Sequence, residues 1–157
     1  MMTWLLLLSG LLMALLSGVF LSFSDFVMRG LMQASAQAGS AGMVGLNRTV
    51  YRSVFMVLFV GFVPAAIGLS VWAFLQVDGP ALVPILLGCM AYVAGVFAVT
   101  GFGNVPMNNR LDALAERADA RAAYWPDYAD RWTRLNHLRT AASAFAAAMW
   151  LIASNLL

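Results

Sequence analysis

Residues 3–24 read TWLLLLSGLLMALLSGVFLSFS, an uninterrupted run without a charge. A helix rises about 1.5 Å per residue, so about 20 apolar residues cross a hydrocarbon core of about 30 Å. The run meets that length and predicts a membrane-crossing helix. No Lys or Arg precedes Arg29, and no small-residue cleavage site follows a shorter apolar core, so the segment reads as a retained anchor rather than a removed leader.

The same pattern recurs along the chain. Uncharged runs lie between Arg52 and Asp78, between Asp78 and Arg110, and from Thr140 to the C-terminus. Together these runs predict an all-α integral membrane four-helix bundle, one domain over residues 1–157 with spans near 3–24, 53–76, 81–104 and 138–157. Asp78-Gly79-Pro80 is a turn whose proline cannot continue a helix but can begin one, so the second and third spans are expected to be antiparallel neighbours. Residues 30–45 hold four glycines and little apolar bulk, which predicts a loop or interfacial segment and no further helix. Leu111, Leu114 and Ala118 suggest a short amphipathic helix that continues from the third span toward the fourth, and Pro126 is placed to start the last helix.

Composition narrows the function. Of 157 residues 62% are hydrophobic and 10% charged, with a mean hydropathy of +0.83, whereas a soluble domain carries about 25% charged residues. The surplus apolar surface requires a lipid bilayer as partner. All nine basic residues are arginine, interspersed with seven acids for a net charge of +2, which is no footprint for nucleic acid. The single cysteine, Cys89, lies in an apolar run and excludes an intramolecular disulfide and any multi-cysteine metal site. No dinucleotide fingerprint or phosphate-cradling glycine loop is present in the sequence.

Four spans bring four helix ends to one side of the membrane. Asp25 and Arg29 stand at the first end, Asn47, Arg48 and Arg52 at the second, Asn104, Asn108 and Arg110 at the third, and Trp132, Asn136, His137 and Arg139 at the fourth. Among charged residues only Asp78 falls on the opposite side. By the positive-inside rule the arginine side faces the cytoplasm, with both termini outside, as expected for a bacterial inner (plasma) membrane. Polar groups at this depth are costly unless they pair or face a cavity, so the cluster is the candidate site. Glu116, Arg117, Asp119 and Arg121 read as a solvated collar.

Within the cluster, Asp25 and Arg29 are spaced i,i+4 with the acid first, the order that favours a helical ion pair of about 0.2–0.5 kcal/mol. Thr100, Asn104 and Asn108 recur at i,i+4,i+8 and predict one polar stripe, with Pro106 removing a backbone donor between the asparagines. His137 is the one histidine, so an imidazole base or a histidine haem ligand has to be this residue. Trp125 and Trp132 suit an interface belt or stacking on a flat aromatic molecule. The small residues of 141–148 allow tight helix contact within one bundle or within a homo-oligomer.

Phe20-Leu21-Ser22-Phe23-Ser24-Asp25-Phe26-Val27-Met28, Gly45-Leu46-Asn47, Gly103-Asn104-Val105-Pro106-Met107-Asn108 and Asn136-His137-Leu138-Arg139-Thr140 occur in this order over nearly the whole chain. In these phrases the sequence resembles a family of small four-helix membrane proteins that includes the anthrone oxygenases of aromatic polyketide pathways. The Asn-Val-Pro-Met-Asn segment, followed by Trp132 and Asn-His-Leu-Arg, is the most specific part. The resemblance implies oxidation of an anthrone at its central methylene carbon to an anthraquinone, using dioxygen and no metal or organic cofactor. It implies His137 as base with Asp25 as the alternative, Asn104 and Asn108 as donors to substrate oxygens, and Arg139 as anion stabiliser. Trp132 and Met28 would wall the pocket, and Asn47, Thr100 and Asn136 would complete the contacts to a small aromatic or phenolic substrate. Two other functions fit the same residues: a haem protein with His137 as axial ligand, and a non-enzymatic protein that binds a lipid or quinone or stabilises a partner.

Overall fold

The structure is a computed structural model that describes residues 2–157, and every element among them is helical. The first helix, α1, runs over Met2–Gln33, followed by α2 (Ala36–Val50), α3 (Val54–Gln76), α4 (Leu82–Ala113) and α5 (Ala118–Leu156). Among these, α1, α3 and α4 are long and apolar enough to cross a membrane. Only 33%, 22% and 33% of their most apolar stretches are buried inside the protein, so most of their hydrophobic surface faces outward. Trp4, Val57, Phe74 and Phe102 are among the exposed side chains, an arrangement stable in hydrocarbon and not in water.

The centre belongs to α5, which packs along the length of α1 and against α4. Its second half is rich in alanine, and Ala146, Ala147, Trp150 and Ala153 are buried in the apolar core with Leu6, Met13, Phe62 and Tyr92. The Phe62 ring stacks on Trp150 with centroids 5.6 Å apart. Two glycines set how close the neighbours come. A side-chain carbon at Gly10 would lie 2.7 Å from Leu151, and one at Gly88 would lie 2.6 Å from the Trp150 indole nitrogen. The α3–α4 connection is the expected turn, with Gly79 at φ 98°, a conformation only glycine adopts freely.

Residues 30–45 differ from the expectation of a loop, because most of them belong to α1 and α2. The Ser35 hydroxyl caps α2 by accepting the Ala38 N–H at 3.3 Å. Gly39 lies against the Leu31 carbonyl and the Trp125 indole, where no side chain fits. The low bulk that argues against a helix is therefore what allows this helix to pack.

The short helix expected to continue from the third span does so over residues 105–113 of α4, but it stops before Leu114 and Ala118; α5 already begins at Ala118, so Pro126 lies inside the last helix and does not start it. Between α4 and α5 lies a turn that Arg121 fastens. Its guanidinium is buried and donates to the Ala115 carbonyl at 2.6 Å, the Ser40 hydroxyl at 3.0 Å and the Gln37 carbonyl at 3.4 Å. Arg121 is thus a staple between α2 and the α4–α5 turn, and not part of a solvated collar, because two carbonyls and a hydroxyl meet its guanidinium and make burial tolerable. Nor does an ion pair join Asp25 to Arg29. A π-helical turn over Phe23–Val27 displaces the two from i,i+4 register, and both are exposed. The ion pairs among the described residues are Arg48–Asp112, Asp127–Arg131 and Asp130–Arg134.

Close contact at Gly88 gives a direct test. Gly88→Leu is expected to lower stability by about 1–3 kcal/mol through overpacking against Trp150. Gly61→Leu, on an open face, is expected to leave the thermal midpoint in detergent nearly unchanged.

Candidate functional site

At the end of the bundle where the charges collect, α1, α2, α4, α5 and the start of α3 enclose a cavity of about 520 Å³. That size suits a small organic molecule, such sites running to about 300–1,000 Å³. Phe20, Phe23, Phe55, Phe59, Phe97 and Trp132 make its walls largely aromatic. Polar side chains interrupt them, among them Asn47, Thr100, Asn108, Asn136 and Arg139.

Arg139 is the electrostatic centre. The residue is 5% exposed, and no carboxylate among the described residues pairs with it. Nη2 donates to Asn136 Oδ1 at 2.7 Å and Nη1 to the Thr100 hydroxyl at 3.3 Å, while Nε has no partner. The Phe20 and Trp132 rings flank the guanidinium at 4.7 and 4.9 Å. Neutral dipoles and aromatic faces offset part of the cost of desolvating a cation, but they do not neutralise it. The pocket therefore keeps an attraction for negative charge.

Asn136 holds this arginine in place. Fully buried, its amide donates to the Phe20 carbonyl and the Ser24 hydroxyl, both at 2.7 Å, leaving its carbonyl oxygen for Arg139. An aspartate here would neutralise the cation; the asparagine orients it and leaves the charge uncompensated.

A second network orients Asn108. Its Oδ1 accepts from the Tyr128 hydroxyl at 2.8 Å and from the Trp132 indole N–H at 2.9 Å. Two donors on one oxygen fix which end of the amide points where, so the Nδ2 group remains as a neutral donor for a ligand. The Tyr128 hydroxyl in turn accepts from Asn47 at 3.3 Å. Burial pushes the Tyr128 phenol above the ordinary tyrosine value, which keeps it protonated and donating at neutral pH.

Six of the residues singled out in the sequence thus share one cavity: Asn47, Thr100, Asn108, Trp132, Asn136 and Arg139. His137 does not join them. Two helical positions separate it from Arg139, about 200° around the axis, so one faces the cavity and the other faces out. His137 is exposed in a groove of about 240 Å³ that it shares with Met28, Arg29, Asp130 and Arg134. Asp25 is exposed and lines neither space. Asn104 is fully buried off the cavity and donates to the Trp132 backbone carbonyl at 3.2 Å. The polar stripe is split because α4 is π-helical over Ala91–Ala98 and Thr100–Asn104, which breaks the regular i,i+4 register. Tyr128 and the phenylalanine walls escape the sequence reading. The signal for Tyr128 was its position one turn before Trp132.

A protein-family model described as Anthrone oxygenase matches residues 48–149, close to two thirds of the chain. The chain belongs to the anthrone oxygenase family. No curated protein and no solved structure matches it. The matched stretch contains Thr100, Asn108, Trp132, Asn136 and Arg139, so most of the polar lining of the cavity falls inside the anthrone oxygenase region. Membership points to oxygenase chemistry on a small molecule.

Each network has a stability signature. Tyr128→Phe removes one neutral bridge and is expected to cost about 1 kcal/mol, and Asn136→Leu, which strands several buried groups, about 1–3 kcal/mol. Denaturant or thermal unfolding in one detergent measures both.

Proposed function

We propose that the cavity binds an anthrone-like or other phenolic substrate and oxidises it to the quinone with dioxygen. The observation that carries this reading is Arg139, a buried cation without a carboxylate partner, opening into an aromatic-walled pocket. An anthrone is nearly neutral until its methylene carbon loses a proton; the product is a delocalised anion with its charge largely on oxygen. Arg139 and the Asn108 amide favour that anion, and so acidify the substrate, without stabilising the neutral form equally. The proton passes to water at the cavity mouth.

The electron-rich anion then gives one electron to dioxygen. Recombination of the resulting radical with superoxide forms a carbon–oxygen bond, and protonation gives a hydroperoxide at the former methylene carbon. Loss of water from that carbon, taking its remaining hydrogen and the outer oxygen, leaves the new carbonyl. One oxygen atom stays in the quinone and the other leaves as water. This sequence uses no metal or organic cofactor. Phe20, Phe23 and Trp132 supply a dry, flat-walled surround that limits side reactions of the radicals. In this assignment His137 and Asp25 take no part in the chemistry. Haem ligated by His137 would sit in the outer groove, apart from the cavity.

The proposed setting is a four-span membrane protein in which α5 crosses alongside α1, α3 and α4. All nine arginines lie at the cavity end and Asp78 at the other, which supports a cytoplasmic cavity with both termini outside.

Purified protein supplied with an anthrone is expected to consume oxygen and form the quinone absorbance. Arg139→Gln should lower kcat/KM by about 10²–10³, the scale of losing a main oxyanion donor. His137→Ala should retain turnover within a small factor. Undiminished turnover in Arg139→Gln, or its loss in His137→Ala, would overturn the assignment. Quinone binding without any turnover would favour a binding protein instead.

A further inference from the structure

The oxygenase chemistry leaves four large aromatic residues of α5 unexplained as a group. Trp132 touches the cavity; Tyr128 stacks on it with centroids 6.4 Å apart and planes inclined by 25°. Trp125 stacks on Tyr128 at 5.6 Å and 19°, and Tyr124 meets Tyr128 edge-on at 6.0 Å. Trp132, Tyr128 and Trp125 are buried, while Tyr124 reaches the surface beneath the Arg110 guanidinium, 4.2 Å from its ring. Helical spacing alone places these residues on one face; it does not require that all four be tryptophan or tyrosine, the side chains most easily oxidised by one electron.

We propose that Trp132, Tyr128, Trp125 and Tyr124 form a relay that carries oxidising equivalents from the cavity to the protein surface. The inference rests on the oxygenase reading for the source of the oxidant, a peroxyl radical formed when a substrate radical and oxygen fail to complete the normal sequence. The peroxyl takes one electron from Trp132 and a proton from water, and becomes a hydroperoxide. Trp132 is restored by an electron from Tyr128, against which both Trp125 and Tyr124 pack; the vacancy is shared with Trp125 and ends on Tyr124, whose phenolic proton goes to solvent. The neutral tyrosyl radical is then reduced by a soluble thiol, which supplies a hydrogen atom and ends as disulfide.

The electrostatics give the relay a direction. With Arg139 4.9 Å from its ring, a cation on Trp132 is disfavoured, so only a strong oxidant withdraws its electron and the vacancy is driven outward. The ordinary radical pair is left to recombine. Without the relay the oxidisable groups left on the cavity wall are Tyr51, Met43 and Met56, and the two methionines would become sulfoxides.

A light-driven oxidant tests the relay independently of turnover. Anthraquinone is bound to the detergent-solubilised full chain, with quenching of tryptophan fluorescence reporting occupancy, and is excited by a laser flash. A tryptophan radical that gives way to a tyrosyl radical is expected. Tyr124→Phe should lower the tyrosyl yield several-fold, and Trp125→Phe should speed charge return. A radical confined to Trp132, with one lifetime in all three proteins, would overturn the relay, as would the absence of any protein radical. Absence of quenching would refute the cavity reading and the relay with it. Under turnover with an anthrone, both variants should keep the wild-type initial rate but complete several-fold fewer turnovers before inactivation, with oxidation appearing at Met43 and Met56. Equal endurance would also count against the relay.

Discussion

A guanidinium cannot shed its charge readily, and a carboxylate is the usual means of making its burial tolerable. Arg139 is buried with neutral partners instead, and much of the surrounding structure follows from that arrangement. Asn136 must be held rigidly by α1 so that its carbonyl faces the cation. Thr100 must present its oxygen from α4, and the Phe20 and Trp132 rings must cover the guanidinium faces. Three helices therefore converge on one charge, and the space they leave beside it is the cavity.

That convergence depends on α5 lying deep in the bundle. Its alanines and the glycines opposite them let the backbones approach closely, which is how helices associate where hydrocarbon surrounds them and no hydrophobic drive separates them from lipid. The other end of α5 projects as a polar helix whose buried face carries Trp125, Tyr128 and Trp132. One continuous element thus joins the core of the bundle to the cavity and to the surface, and α2, stapled by Arg121, closes the side.

The family assignment and the cavity support each other without being the same statement. The family match covers residues 48–149, whereas Phe20 and Phe23 come from α1 and Asn47 from α2, just outside it. The pocket is therefore assembled from matched and unmatched parts of the chain.

The apolar helices, the turn at Gly79 and the gathering of charge at one end were legible because each depends on local composition. Asn108, Trp132 and Arg139 were legible as a cluster because helix ends on one side must be neighbours. Which of two nearby residues faced inward was not. His137 and Arg139 differ by two positions, and rotation of α5 against its neighbours decided between them. The π-turns of α1 and α4 likewise shifted Asp25 and Asn104 out of register, since an extra residue in a turn follows from packing and carries no simple sequence mark. Sequence alone determined the apolar, helical character of the chain and the end of the bundle at which its polar groups meet, because hydrophobicity and charge act residue by residue. Only tertiary structure decided that an unpaired arginine, and not the histidine, lines the cavity, because the facing of a side chain depends on how whole helices rotate and close on one another.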